Sequence, residues 1–215
     1  MKTIRLGLIR VLTTSDDKTL NAHSRLLQSC FENFSVETRC IPDQPEGIHD
    51  AETETIAVPK ILELAKEFER KGADVIFISC AADPGVEEAR TLLKIPVIGA
   101  GSACASVALS LGSRIGALGI TEEIPEVMAG ILREKLVYSA KPEGVNTTLD
   151  LLSDKGKEEA LKAAILLRGK GCDTIVLACT GMSTIGIYKD IREIGRIRVV
   201  DPVLAAGTLI SFLQL

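Results

Sequence analysis

The chain is poor in aromatic residues: five Phe, two Tyr and no Trp in 215 residues, 3% of the total. Readers of single-stranded nucleic acid stack bases on such rings, so that class is excluded. Positive charge is not in excess either. There are 25 Lys and Arg against 29 Asp and Glu, a net charge of −4, the wrong sign for tracking a phosphate polymer. The six cysteines contain no CxxC pair, which removes zinc ribbons and thioredoxin-type redox motifs. Cys30, Cys40, His23 and His49 follow no metal-ligand spacing, and no metal is expected. The apolar run at residues 6–11 is shorter than a signal peptide needs, and Asp16 and Asp17 follow at once. The longest uncharged stretch, residues 95–113, contains Pro96, Gly99, Gly101 and Gly112. It reads as a strand, a Gly turn and a buried helix, not as a membrane span. These absences predict a cytoplasmic protein with reduced cysteines and neither nucleic acid nor membrane as partner.

What is abundant is aliphatic: apolar residues make up 46% of the chain, enough for a sizeable core. Apolar runs alternate with helix-period stretches. Strands are expected at residues 4–12, 36–41, 75–79 and 96–99, with helices at 20–34 and 53–71 between them. A second series follows, with strands at 114–120, 174–178 and 197–200 and helices at 123–136, 155–169, 188–194 and 204–213. Asp83 is expected to cap the helix that Pro84 opens, and Glu122 and Glu123 to begin the helix at 123. Strands separated by helices of this length imply βαβ units and parallel sheets.

The second series repeats the first in residues as well as in order. Lys71-Gly-Ala-Asp-Val-Ile-Phe-Ile-Ser-Cys80 aligns without gaps with Lys170-Gly-Cys-Asp-Thr-Ile-Val-Leu-Ala-Cys179. The fold expected is therefore α/β with two pseudo-symmetric domains, residues 1–100 plus 205–215 and residues 101–204. Each is a mostly parallel sheet flanked by helices, with the active site in the cleft between them. In parallel α/β sheets ligands bind beyond the carboxyl ends of strands, and each repeat ends its strand at a cysteine. An approximate twofold would bring Cys80 and Cys179 face to face. A thiolate that removes a proton from one side of a carbon, opposed by a thiol that returns one to the other side, inverts a stereocentre. Residues 81–84 and 180–183, which follow the two cysteines, are mostly small and could offer backbone N–H groups to a developing enolate or carboxylate.

Three segments carry a family resemblance: Cys80-Ala-Ala-Asp83-Pro84-Gly85, Ile95-Pro-Val-Ile-Gly99, and Ala178-Cys179-Thr180-Gly181-Met182. With them the chain resembles the aspartate/glutamate/hydantoin racemase superfamily, specifically its hydantoin (allantoin) racemase branch. The resemblance implies cofactor-independent racemisation of a small-molecule substrate with Cys80 and Cys179 as the catalytic pair, and a homo-oligomer. It also implies a substrate-binding set of Arg10, Ile48, Ser79, Ala81, Ala82, Thr121, Thr180 and Gly181. Where aspartate and glutamate racemases carry Cys-Asn-Thr, this chain has Cys80-Ala81-Ala82, without side-chain donors for an α-carboxylate. A cyclic ureide substrate is favoured on that ground, while Arg10 could hold a carboxylate bidentately. A same-fold maleate isomerase or decarboxylase, and a small-molecule binding protein without catalysis, stay open as alternatives.

Other signals take plainer readings. Gly99-Ala-Gly101-Ser-Ala-Cys104 is similar to a dinucleotide fingerprint, but it sits mid-chain and is read as a close-packed strand-to-helix turn at the domain crossover. His23 is placed on a polar helix face and His49 beside Asp50, both as surface residues. Cys30, Cys40, Cys104 and Cys172 are read as packing residues.

Overall fold

The computed structural model describes residues 2–214. Met1 and Leu215, the outer ends of the first expected domain, lie outside the described residues. The first half runs β1 (Ile4–Arg10), α1 (Asp17–Leu20), α2 (Ala22–Cys30), β2 (Phe34–Cys40), α3 (Ala51–Arg70), β3 (Val75–Ser79), α4 (Val86–Leu92), β4 (Val97–Gly99) and α5 (Ala100–Leu111). The second runs β5 (Ile115–Leu118), α6 (Glu126–Leu132), β6 (Leu136–Ala140), α7 (Asp154–Gly169), β7 (Thr174–Leu177), α8 (Gly181–Thr184), α9 (Ile187–Gly195), β8 (Arg198–Val200) and α10 (Pro202–Ser211). Two four-stranded sheets result, ordered β2-β1-β3-β4 and β6-β5-β7-β8, with every pairing parallel. The two orders are the same topology, and each reverses direction between its first and third strands, where α/β sheets open a ligand crevice.

The repeat has a local physical basis. Gly72 and Gly171 hold φ of +86° and +85°, left-handed values that favour glycine, and turn the chain out of α3 and α7. The aspartates that follow do the same work in both halves. Asp74 accepts from the Arg5 N–H and donates its own N–H to Arg5 O (2.8 and 2.7 Å). Asp173 does so with Arg114 (3.2 and 2.9 Å). Each pair pins the start of a central strand to its neighbour, fixing the register that carries a cysteine to the far end.

Three cores stack through the molecule. An outer one packs Ile9, Ile76 and Ile78 of the first sheet against Ile61, Leu64, Ala65 and Phe68 of α3. A second outer one packs Ile175 and Leu177 against α7 and α9 through Ala160, Leu167 and Ile191. Between the sheets, Leu6, Leu8 and Phe77 from one side and Ile115, Ala117 and Val176 from the other bury the same helices, through Ala103, Cys104 and Ala108 of α5 and Val203, Ala206 and Ile210 of α10. Small side chains on α5 and α10 let this middle layer sit close to both sheets. Among the described residues no helix is long and apolar enough to cross a membrane.

Several boundaries differ from expectation. The helix expected at 20–34 is two, α1 and α2, and its last residues already belong to β2. Of the helix expected at residues 123–136, only α6 and a 3-10 turn form, and Leu136 already belongs to β6. Glu122 and Glu123 lie in the preceding loop, and Pro125 stands at the start of α6. Strand β6, absent from the expected pattern, is an edge strand with half-buried and exposed positions, so it lacks the alternation that identifies a strand. Asp83 does not cap α4. That helix starts after Gly85, which has φ +68°, and Asp83 itself is left-handed at φ +55°.

Candidate active site

Cys80 directly follows β3, and Cys179 follows β7 after one further residue. Both line a single cavity of about 190 Å³ at the carboxyl ends of the two sheets. Arg10, Ile48, Ser79, Ala81, Ala82, Thr121, Thr180 and Gly181 line the same cavity. Side chains from positions 10 to 181 thus converge, because each sheet delivers its β1/β3 or β5/β7 switch point to one cleft. The cavity lies below the usual volume range for drug-sized ligands, which matches a compact small molecule. Its walls also include Val11, Leu12, Ile120, Leu149 and Leu152.

Each thiol sits in a turn of short residues. Burial pushes Cys80 up to about 12, opposed by the Ala82 N–H and reinforced by Cys179, Asp83 and Glu54. Burial pushes Cys179 up to about 11, opposed by the N–H groups of Gly181 and Met182 and by the Arg10 guanidinium. The two sites are therefore electrostatically unequal: Asp83 and Glu54 push Cys80 up, whereas Arg10, which also acts on Cys40, pulls Cys179 down.

Arg10 ends β1, paired in register with Ser79. Its side chain is 2% exposed. Nη1 donates to the carbonyls of Thr19 and Leu20 (2.5 and 3.2 Å), while Nε is buried without a partner. Burial lowers its pKa to about 10, so it stays a cation at neutral pH. Among the described lining residues it is the sole Arg or Lys, whereas Asp50, Glu54 and Glu123 supply three carboxylates. Burial raises Glu54 from its ordinary value, helped by Glu88.

Asp83 anchors the first cysteine turn to the crossover helix. Its carboxylate accepts from the N–H groups of Gly101 and Ser102 (2.6 and 2.8 Å), capping α5 eighteen positions away instead of its own helix. A side chain could not fit there. A Cβ on Gly101 would lie 1.9 Å from Ala81 O, and one on Gly99 2.2 Å from an Asp83 oxygen. The Gly99-Ala-Gly101 segment is thus the close-packed crossover turn expected of it, and its glycines make room for the Cys80 turn.

His23 overturns its expected surface placement. It is 0% exposed, with Nδ1 2.8 Å from Ser79 Oγ and Nε2 3.0 Å from Thr180 O and 2.9 Å from Thr184 Oγ1. Nothing in the α2 sequence marks that face as buried, since its partners lie up to 161 positions away. His49 is half-buried at the cavity, beside Asp50 at 3.7 Å. Asp50 also caps α3 by accepting from the Thr53 N–H. Among the remaining cysteines, Cys104 and Cys172 are buried as read, Cys40 is half-buried, and Cys30 is exposed, contrary to its packing role.

Residues 7–210 match the profile of the family described as Asp/Glu/Hydantoin racemase. The hydantoin racemase of Rhizobium meliloti is 28% identical over 173 residues, covering 76% of this chain and 70% of the relative. The allantoin racemase from Klebsiella pneumoniae superposes with a TM-score of 0.86 at 24% identity, over 98% of this chain and 87% of that one. The maleate isomerase Iso from Pseudomonas putida S16 shares the fold with a TM-score of 0.76 at 16% identity, over 100% and 94%. Sequence profile and fold together define an isomerase of the racemase class. The chain belongs to the Asp/Glu/hydantoin racemase family, on its hydantoin racemase-like branch.

Proposed function

We propose that the protein racemises a compact, uncharged cyclic ureide of the 5-substituted hydantoin type by proton transfer between Cys80 and Cys179. One observation carries the reading: two cysteines at matched positions of two repeated sheets line one small cavity. A thiolate takes the proton from the carbon beside the ring carbonyl and becomes a thiol. The opposing thiol gives its proton to the other face and becomes the thiolate. The substrate leaves inverted and the pair is left with its roles exchanged, ready for the opposite enantiomer. Cys179, helped by Arg10, is the thiol that more readily gives up its proton to become the attacking thiolate, and Cys80, with Glu54 and Asp83 nearby, is the one that stays protonated. Arg10 serves in this scheme as the counter-charge of Cys179, since Nη1 already holds two carbonyls. The backbone N–H groups after each cysteine steady the developing enolate.

The walls support the substrate class. Three carboxylates line the cavity against one cation, Arg10, whose Nη1 is already held by two carbonyls, an arrangement that disfavours the net negative charge of aspartate, glutamate or maleate. Leu149 and Leu152, 46% and 51% exposed beside it, offer apolar contact to a ring substituent. The lobes are drawn at residues 1–100 with 205–215 and 101–204. The same reading includes a homo-oligomer, for which Leu109, Leu111, Phe212 and Leu213 leave apolar surface exposed.

Enantiopure 5-alkyl hydantoins, allantoin, aspartate and glutamate, each followed by chiral chromatography or polarimetry, and maleate, followed by proton NMR for its trans isomer, test both parts. The hydantoins are expected to racemise, and aspartate, glutamate and maleate to remain unchanged. Cys80→Ser and Cys179→Ser are each expected to lose about 10²–10⁴-fold in kcat, the range for a general acid or base. Full turnover in either variant contradicts the mechanism, and turnover of maleate but not hydantoins contradicts the substrate class.

A further inference from the structure

We propose that His23 is a positioning residue that sets the separation of the two thiols across the cleft. The inference rests on the two-thiol reading and adds a part that touches neither substrate nor sulfur. His23 is not among the residues lining the cavity. It lies fully buried on α2, and its three partners come from the two cysteine turns. Ser79 is the residue before Cys80, Thr180 the residue after Cys179, and Thr184 ends α8, the short helix that follows Cys179.

The hydrogen-bond chemistry fixes the ring's state. Thr180 O is a carbonyl and only accepts, so Nε2 carries the hydrogen. The Thr184 hydroxyl has the same carbonyl 3.4 Å away as an acceptor for its own proton. Nδ1 is then the lone-pair nitrogen and accepts from the Ser79 hydroxyl. The imidazole is neutral, kept so by burial and by the nearby Arg10 charge. A further direct bond crosses between the two turns here, Thr180 Oγ1 donating to Ser79 O at 3.2 Å. Imidazole and hydroxyl together form a strut of fixed length. It joins the peptide ahead of one cysteine to the peptide behind the other, and a leucine would fill the space without joining anything. Proton transfer by two opposed groups needs both within reach of one carbon, and a 1 Å misplacement can cost about 10²-fold in rate. A side chain that fixes this distance therefore acts first on the chemical step, and on substrate affinity only through Ser79, Thr180 and Thr184, which line the cavity.

The test compares His23→Leu, His23→Asn and His23→Gln with the native protein. Glutamine carries an N–H near the Nε2 position and can still reach Thr180 O, whereas asparagine stops near Nδ1 and leucine offers no bond. The expected result is a fall in kcat of about 10²-fold for Leu and Asn, with a smaller change in KM than in kcat, and recovery of at least a tenth of native kcat with Gln. A second readout is independent of turnover. Bifunctional thiol reagents of graded length should cross-link Cys80 to Cys179 at one preferred length in the native and Gln proteins, and over a broad range in the Leu and Asn proteins. Native kcat and a native cross-linking profile in the folded Leu variant overturn the proposal. If Leu does not fold by thermal melt and gel filtration, equal kcat and equal cross-linking in Asn and Gln overturn it. Cys80→Ser and Cys179→Ser, assayed alongside, separate the two failures. An active serine variant removes the two-thiol reading, while the cross-linking arm still decides whether His23 sets the spacing.

Discussion

A thiol gives up its proton reluctantly where water is scarce, and both Cys80 and Cys179 stand in such a place. What separates them is their neighbours: Arg10 beside Cys179, and Glu54 and Asp83 beside Cys80. This asymmetry makes a prediction about Arg10. With Cys179 held near 11, its thiolate fraction is small at neutral pH and grows as pH rises. Native kcat/KM should therefore climb about tenfold per pH unit between about pH 6 and 8. Arg10→Met removes a charge that favours the thiolate, so iodoacetamide should alkylate Cys179 more slowly at a given pH. The kcat/KM profile should move to higher pH, and Arg10→Lys should restore much of both. An unchanged alkylation rate in the Met variant contradicts the assigned role. At this scale the sequence made the cysteines legible because the repeat marks them: Lys, Gly, Asp, Ile and Cys recur in step. His23 was not legible. Its surroundings in α2 are Ala22, Ser24 and Arg25, a polar stretch with no sign that a neighbour 157 positions away would bury it.

At the scale of elements, the strand-to-helix turns hold the site in shape. The Cys80 turn is pressed against the start of α5 so tightly that Gly101 has no room for a methyl group. Gly101→Ala should force the turn and the helix apart. Overpacking of this kind costs about 1–3 kcal/mol, measurable as a lowered denaturation midpoint, and the displaced Cys80 should lose most of its activity. A variant with native stability and native kcat would contradict the close packing. The helices and strands of the sheet centres were readable from periodicity, since buried parallel strands such as Val75–Ser79 are continuous apolar runs. The edge strand Leu136–Ala140 was not, because half-solvated pairing leaves no such run. Asp83 misled for a related reason. Asp-Pro is a local helix-start signal, and the backbone amides that Asp83 caps lie on another helix, brought close only by the fold.

The whole molecule explains the scarcity of aromatic rings. Two sheets share one middle layer built on α5 and α10, whose alanines and glycines allow close approach from both sides. Large rings have few places in such a sandwich, and the cavity is correspondingly small and walled by aliphatic side chains. The twofold repeat also accounts for how much was readable from sequence. Once two equivalent halves are recognised, the two cysteine turns must share a cleft, whereas Arg10, Ile48 and Thr121 come from the family resemblance; all ten candidate residues line one cavity. The contacts that join the halves are particular to this chain and follow from no repeat.

The most direct measurement of the two-thiol mechanism is racemisation of an enantiopure 5-alkyl hydantoin in deuterium oxide, followed by mass spectrometry of the separated enantiomers at low conversion. A proton donated by a second thiol equilibrated with solvent predicts deuterium at the stereocentre of the newly formed enantiomer and almost none in the unreacted one. Product enantiomer that keeps its original hydrogen, or equal early labelling of both enantiomers, would contradict proton transfer between two opposed cysteines.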